Sequence, residues 1–295
     1  MDIRNCLPPD RHPRKPQWAL PAGSIDTHVH IFENLYPMSP TRGYNPPDST
    51  LMDLMHLHRT LGVERVVFTQ PSTYGVDNSA ILKGMSVLNE LRAGTARGVA
   101  AFGAQVSDAF LEQLHQQGIR GVRLNLDNKG GMPIELHQIA ELEARIRVFG
   151  WHVEYLFPGA AIGELMPFLK ASSVPISIGH FAYQPATNGV KAPGFQNLLD
   201  LVRAGNTWVK ISGANRVSAT DLPPYDDCKP LADALIEACP EHIMWGTDWP
   251  HPNKYRVNPN DGDLVDALGD WVTDAAMRQA ILVDNPQKFY DFGAW

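Results

Sequence analysis

The sequence predicts an α/β protein built as a single (β/α)8 TIM-type barrel. Short runs rich in β-branched and aromatic residues alternate eight times with stretches of helical periodicity along a chain of 295 residues. Several helical stretches end on a glycine, the residue that favours a left-handed C-cap. The main alternative is a doubly wound open sheet. The barrel is favoured because the chain has no GxGxxG segment after its first strand and no Walker A motif.

The eight predicted strands are short and evenly spaced. They cover residues 24–31, 64–70, 97–104, 119–126, 151–157, 175–180, 207–213 and 243–249. The glycines expected to end the intervening helices are Gly62, Gly94, Gly118, Gly150 and Gly205. We expect residues 1–20 to form an extended, proline-rich leader and residues 21–295 to form the barrel, with one active site at the C-terminal ends of its strands.

The composition argues against several classes of partner. The formal net charge is −7 and there is no long basic run, so nucleic acid and an anionic membrane surface are not expected to bind. No apolar stretch reaches about 18 residues, and the polar start of the chain is typical of neither a signal peptide nor a membrane span. Three cysteines without CxxC spacing fit a reducing compartment. We therefore expect a cytoplasmic protein with a small-molecule ligand, as a monomer or a homo-oligomer.

Four side chains suited to catalysis lie at the ends of predicted strands. His28 and His30 alternate at the end of the first strand and therefore point to the same side of it. His180 ends the sixth strand, and Asp248 lies in the eighth between two tryptophans. Branched apolar residues normally fill the interior of such a barrel, and an isolated buried carboxylate is rarely structural. The four residues therefore predict an active site.

Further polar residues are expected at the same end of the barrel. Arg123 alternates with Asn125 on the fourth strand, and a guanidinium group suits a carboxylate in a two-point contact. The other candidates for substrate contacts are Arg216 after the seventh strand, Tyr155 on the fifth, Lys129 in the loop after the fourth and Asn253 after the eighth. These residues predict a substrate that carries negative charge.

These motifs together resemble the amidohydrolase superfamily. The segments that carry the resemblance are DTHVH on the first strand, GVRLNL on the fourth, WHVEY on the fifth, GH ending the sixth and WGTDWPHPN on the eighth. HxH alone is a weak signal, but its combination with the WGTDWP block is specific. The similarity is greatest to the lactonase branch, typified by 2-pyrone-4,6-dicarboxylate lactonase. It implies a barrel enzyme that opens a lactone ring with water, in the catabolism of aromatic compounds.

The resemblance also bears on metal ions. Binuclear members of the superfamily bridge two metals with a carboxylated lysine on the fourth strand and add a histidine on the fifth. Arg123 and Tyr155 occupy those strands here, so a two-metal site is not expected. The set of His28, His30, His180 and Asp248 is chemically suited to a single Zn²⁺. Catalysis in the lactonase branch needs no metal, and we expect that none is required here.

The lactonase branch implies a role for each group. Its histidines polarise the lactone carbonyl, and its aspartate deprotonates the attacking water. By this resemblance the three histidines stabilise the oxyanion, and Asp248 is the general base. We expect burial to raise the pKa of Asp248 towards neutrality, where a carboxylate is an effective base. Arg123 and Arg216 are expected to bind carboxylates on the lactone ring.

At two positions this sequence differs from the lactonase branch, and both differences bear on which substrate is expected. Tyr183 stands where the dicarboxylate lactonase has an arginine after the sixth strand, and Lys129 replaces another arginine. The substrate is therefore expected to be a carboxylated lactone, either 2-pyrone-4,6-dicarboxylate-like or muconolactone-like. The alternatives are a sugar-acid lactonase, a lactone isomerase, a single-metal decarboxylase of the same superfamily, or a barrel that binds a small molecule without catalysis.

Overall fold

Eight parallel strands, each paired with its neighbours in chain order, form the central sheet of the protein. The computed structural model describes residues 3–127 and 134–295. The strands are β1 (Ile25–Val29), β2 (Arg65–Thr69), β3 (Ala96–Ala100), β4 (Ile119–Asn125), β5 (His152–Leu156), β6 (Ile176–Ile178), β7 (Thr207–Lys210) and β8 (Ile243–Met244). Helices surround the sheet, so the predicted (β/α)8 barrel is confirmed.

The barrel closes through irregular backbone after β8. The Asp248 amide donates to the His28 carbonyl over 3.0 Å, and the His30 amide donates to the Trp249 carbonyl over 2.8 Å. A regular strand was expected over residues 243–249. The structure has regular pairing only at the first two of these residues, and four residues later the main chain enters the left-handed region at Asp248, with φ of 64°. That irregularity turns the carboxylate towards the end of the barrel where the histidines lie.

Helices connect successive strands on the outside of the sheet. They are α1 (Leu51–Leu61), α2 (Ser79–Leu91), α3 (Asp108–Gln116), α4 (Ile139–Ile146), α5 (Ile162–Ala171), α6 (Pro193–Arg203), α7 (Ala214–Val217), α8 (Lys229–Ala238), α9 (Asp261–Trp271), α10 (Ala275–Gln279) and α11 (Asn285–Phe289). The five glycines predicted to follow helices all have positive φ, as a left-handed cap requires. None of the helices in the described ranges is long and apolar enough to cross a bilayer.

Residues 3–20 lie against the barrel. Arg4–Asn5 pairs in parallel with Tyr44–Asn45, which belongs to the loop after β1. Farther along, the Arg14 guanidinium donates to Asp263 on α9, and the Trp18 indole donates to the Val265 carbonyl over 3.1 Å. These contacts hold the segment against the outer helices.

The interior of the barrel is apolar at its N-terminal end and polar at the other. The apolar cluster at the N-terminal end consists of Ile25, Val67, Val99, Trp208, Met244, Tyr290 and Phe292, all nearly inaccessible to solvent. A larger cluster fills the space between the sheet and the helices. Because both clusters exclude water from the strands, the charged residues at the C-terminal end are also desolvated, which strengthens their interactions.

Candidate active site

A cavity of about 430 Å³, including its opening to solvent, lies at the C-terminal ends of the strands. Its walls carry eleven polar groups: His30, Tyr44, Ser72, Arg123, Asn125, Asp127, His180, Tyr183, Arg216, Asp248 and Asn253. Polar groups that converge in a concave site are typical of a site for a small molecule. This cavity is where the predicted site residues come together.

The predicted catalytic residues converge beside this cavity. The His28 ring lies 5.0 Å from the His30 ring and 4.7 Å from the His180 ring, measured between centroids. The Asp248 Oδ1 atom is 3.4 Å from His180 Nε2 and 3.9 Å from His28 Nε2. All four residues are almost fully buried. Three imidazoles and one carboxylate therefore share a dry environment.

Asp26 positions β1 against the segment that carries Asp248. Its carboxylate accepts hydrogen bonds from the Thr247 amide at 2.9 Å, the Thr247 hydroxyl at 2.6 Å, the His28 amide at 3.2 Å and His58 Nε2 at 3.2 Å. Gly246 allows this approach, since a Cβ there would lie 2.7 Å from the His28 amide nitrogen. Asp26 of the DTHVH motif thus forms one buried contact with Gly246 and Thr247 of the WGTDW motif.

The segment after β6 holds His180 in strained backbone. Four consecutive residues, His180 to Tyr183, have φ between 51° and 55°. A left-handed conformation costs L-residues about 1–2 kcal/mol each, and such strain concentrates at functional sites. Gly213 follows β7 and faces the same ring, where a Cβ would lie 2.7 Å from His180 Nδ1. The strained turn directs His180 towards Asp248 and puts Tyr183 into the cavity wall.

Arg216 is paired with Asp248. Its Nε donates to Asp248 Oδ2 over 2.5 Å, and its Nη2 donates to the Pro252 carbonyl over 3.0 Å. Burial alone would raise the pKa of Asp248, but the positive charge of Arg216, with its hydrogen bond to the carboxylate, outweighs it, and the pKa falls below its ordinary value of 3.8. The expected rise towards neutrality is therefore wrong. Asp248 is ionised at neutral pH, and Arg216 is already engaged by this carboxylate.

The three histidines of the site are uncharged at neutral pH. Burial is the main cause that lowers the pKa of His30 to about 3, with the positive charge of Arg123 adding to it. Burial likewise lowers the pKa of His180 to about 3, although Asp248 opposes the shift. The pKa of His28 lies well below 6.5, through burial and the nearby charge of Lys210. Each ring therefore carries one N–H and one lone pair.

Three of the other predicted site residues line the cavity, and a fourth lies outside the described part of the chain. Arg123 and Asn125 line the cavity, and the Arg123 Nη1 donates to the Gln70 carbonyl over 2.8 Å. Asn253 lines the opening and accepts a hydrogen bond of 2.6 Å from the Tyr255 hydroxyl. Lys129 lies outside the described residues.

Tyr155 is not part of the cavity wall. Successive side chains on a strand point to opposite faces, and Glu154 is the residue of β5 that turns inward, 3.8 Å from His28 Nδ1. Tyr155 instead lies among buried apolar side chains of the larger cluster. Its expected contact with substrate is not supported by this position.

Two charged residues that the motif analysis passed over lie beneath the histidines. Lys210 Nζ donates to Glu154 Oε2 over 2.5 Å, and both side chains are at most 2% exposed. The sequence carried a signal for each, a single charge within an otherwise apolar strand: WHVEYLF and TWVKISG. Buried charges of this kind are rare unless they are paired.

The site also contains a candidate group of metal ligands. Ligand atoms of His28, His180 and Asp248 lie within 4.8 Å of one another. Imidazole and carboxylate are suitable ligand types for Zn²⁺. A neutral histidine binds a metal through a nitrogen lone pair, however, and the Lys210 Nζ lies 3.2 Å from His28 Nδ1. An ammonium donor at that nitrogen leaves the proton on Nε2, so His28 does not fit as a ligand.

Comparison with known proteins gives concordant results. A family model described as amidohydrolase matches residues 25–292. The 2-pyrone-4,6-dicarboxylate hydrolase of Comamonas testosteroni is 36% identical, over 95% of this chain and 93% of that protein. The 4-sulfomuconolactone hydrolase of Hydrogenophaga intermedia is 35% identical, over 97% of this chain and 94% of that protein. A crystal structure from Acinetobacter baumannii with citric acid bound has a TM-score of 0.80 and 26% identity, covering 92% of this chain and 100% of that one.

The chain therefore belongs to the amidohydrolase family. Both the extent of the family match and the coverage of the relatives include all eight strands and every described site residue. The resemblance that the HxH and WGTDWP motifs indicated is confirmed, and so is the prediction that the protein is an enzyme.

We predict that the free energy of unfolding falls as the pH is lowered from about 6.5 towards 3. The histidines of the unfolded chain bind protons below their ordinary pKa of about 6.5, whereas His30, His152 and His180 stay neutral in the folded state until about 3. Each therefore costs about 1.4 kcal/mol of stability per pH unit in that window. Urea unfolding at a series of pH values measures the slope, and equal stability across the window would contradict neutral buried histidines.

Proposed function

We propose that this amidohydrolase-family enzyme hydrolyses a lactone that carries an acidic group. One observation carries the proposal: an ionised carboxylate, Asp248, lines a cavity that also presents Arg123, and the neutral ring of His28 lies beside that carboxylate at 3.9 Å. A base, a donor for a developing oxyanion and a cation for an acidic substituent are the groups that this reaction needs. The hydrolase relatives act on lactones, according to their names.

The reaction starts with Asp248 and a water molecule. The water oxygen bonds to the lactone carbonyl carbon, Asp248 takes the released proton, and the carbonyl electrons move to the oxygen. Among the described residues, His28 Nε2 has no hydrogen-bond partner, so it is available to donate to that oxyanion. The ring C–O bond then breaks. Protonated Asp248 is a strong acid because its pKa is lowered, and it returns the proton to the leaving ring oxygen.

The two arginines then have different roles. Arg123 donates one hydrogen bond to a carbonyl and lies 3.8 Å from Glu154, which leaves other N–H groups for a carboxylate on the substrate. Arg216 instead holds Asp248 ionised and oriented. The relative with citric acid bound in its crystal shows that this fold accommodates a polycarboxylate, which supports an acidic substrate here.

We predict that Asp248→Asn folds normally but hydrolyses acidic lactones about a hundred- to ten-thousandfold more slowly, because the amide cannot accept the proton. A panel of carboxylated and sulfonated lactones, followed by ring-opening absorbance, supplies the assay. Asp200→Asn, in an exposed ion pair on α6, is the matched control and should keep full activity. A variant that retains more than about a tenth of the wild-type rate would exclude Asp248 as the base.

We predict that the two arginine variants differ in kind. Arg123→Met removes a charge-assisted hydrogen bond to substrate and should raise KM by roughly ten- to a hundredfold. Arg216→Met should mainly lower kcat and move the acid limb of the pH profile upward, because the pKa of Asp248 is no longer lowered by the guanidinium. Steady-state kinetics against pH separate the two. Equal effects on KM alone would show that Arg216 also binds the substrate carboxylate.

We predict that hydrolysis requires no metal ion. His28 and Asp248 supply a donor and a base by themselves, so treatment with EDTA or o-phenanthroline should leave kcat within about twofold of its starting value, well inside the hundredfold effect of losing a catalytic group. Elemental analysis of the same preparation monitors bound metal. Activity that disappears on chelation and returns with Zn²⁺ or Mn²⁺ would contradict the proposal.

A further inference from the structure

A buried ion pair lies directly behind one of the catalytic histidines. The Lys210 Nζ atom is within hydrogen-bond distance of three groups: the Thr27 carbonyl at 2.9 Å, Glu154 Oε2 at 2.5 Å and His28 Nδ1 at 3.2 Å. The Lys210 side chain is fully buried. Buried ion pairs contribute little net stability, so stability alone does not account for this pair.

Burial lowers the pKa of Lys210, but Glu154 opposes that shift and, at 2.5 Å, pairs with Lys210 as carboxylate and ammonium. The hydrogen-bond capacities of this charged pair and its neighbours leave one arrangement. A lysine ammonium has three hydrogens and accepts none, whereas the Thr27 carbonyl and the Glu154 carboxylate only accept. Each of them takes one hydrogen, and the third points to His28 Nδ1. A neutral imidazole that accepts at Nδ1 carries its own hydrogen on Nε2. Nε2 is the atom that faces Asp248, which lines the cavity.

The other two histidines are held differently. His30 Nδ1 lies 2.7 Å from the Thr69 carbonyl, which only accepts, so the His30 hydrogen is on Nδ1. His180 Nδ1 lies 2.9 Å from the Ser212 hydroxyl, which donates or accepts, so His180 is free to adopt either tautomer. Only His28 has a partner that is exclusively a donor.

We propose that Lys210 is a positioning residue that fixes His28 as the Nε2–H tautomer. In this form His28 is a hydrogen-bond donor to the lactone carbonyl, and it has no lone pair at Nε2 with which to bind a metal. The first consequence rests on the proposed lactone hydrolysis, and the second does not. The buried pair thus keeps a cluster of histidines and aspartate from acting as a metal site.

The variants are chosen to separate the donor from the charge pair. Lys210→Met alone would leave Glu154 buried without its cation, and breaking a buried pair this way is strongly destabilising. Lys210→Met combined with Glu154→Gln removes both charges and the donor. Glu154→Asp is the matched control, because it alters the same pair but keeps a carboxylate for Lys210 and leaves the ammonium as a donor to Thr27 and His28.

Nitrogen NMR of histidine-labelled protein reads the tautomer without substrate. We expect Nε2 of His28 to carry the hydrogen in the wild type and in Glu154→Asp, and both tautomers to be populated in the double variant. The His28 resonances are identified by their loss in His28→Gln. A wild-type His28 with its hydrogen on Nδ1 overturns the proposal. The wild-type spectrum decides this point even if the double variant does not fold.

Competition for Zn²⁺ against a chromogenic chelator tests whether Lys210 prevents His28 from binding a metal. We expect the double variant to bind one Zn²⁺ at least roughly tenfold more tightly than the wild type or Glu154→Asp, and the gain to disappear when Asp248→Asn is added. Equal Zn²⁺ affinity in all folded variants overturns the proposal. In the absence of metal the double variant should lose about a hundred- to a thousandfold in kcat, the effect of removing one oxyanion donor.

These readouts distinguish the two proposals. A wild-type protein with the Nε2–H tautomer and the Zn²⁺ gain on substitution, but with no hydrolysis of any acidic lactone, would overturn the proposed function and support the role of Lys210 in excluding metal. Lactone hydrolysis combined with a wild-type His28 that carries its hydrogen on Nδ1 would support the proposed function and overturn the role of Lys210.

Discussion

The buried carboxylate of Asp26 is the contact on which the rest of the site depends. It accepts four hydrogen bonds, from Thr247, the His28 amide and His58, and so joins the first strand of the barrel to the segment after the last. In a closed barrel these two edges must meet, and here the Asp26 side chain adds to a few backbone hydrogen bonds, since regular pairing stops at Met244. The histidines of β1 and the carboxylate of Asp248 face one another as a result.

Charge pairing determines what the interior can do. Asp248 is bonded to Arg216 and Glu154 to Lys210, and each pair lies almost entirely out of water. Such pairs contribute little net stability, but they fix orientation and protonation in a region of low dielectric, where hydrogen bonds are also stronger. The uncharged histidines lie between the two pairs. The site therefore combines fixed charges with neutral donors, an arrangement suited to stabilising an oxyanion.

Sequence reasoning about the site failed where neighbours in space decide the chemistry. Burial of Asp248 was expected to raise its pKa, but the loop after β7 brings Arg216 to within 2.5 Å of the carboxylate and reverses the shift. Tyr155 was expected in the cavity, but the register of β5 turns Glu154 inward instead. The partners of Lys210 come from β1 and β5, at sequence separations of 183 and 56 residues, which no local pattern reports.

The sequence by itself determined the barrel, the end of it that carries the site and the residues His28, His30, His180, Arg123 and Asp248 that meet there. These follow from periodicity and from the rule that parallel strands present their C-terminal ends together, both of which are local or general properties. Only the tertiary structure decided the protonation of each group, the pairing of Arg216 with Asp248 and the donor behind His28. Those properties depend on distances of a few ångströms between strands far apart in the chain, and on the absence of water between them.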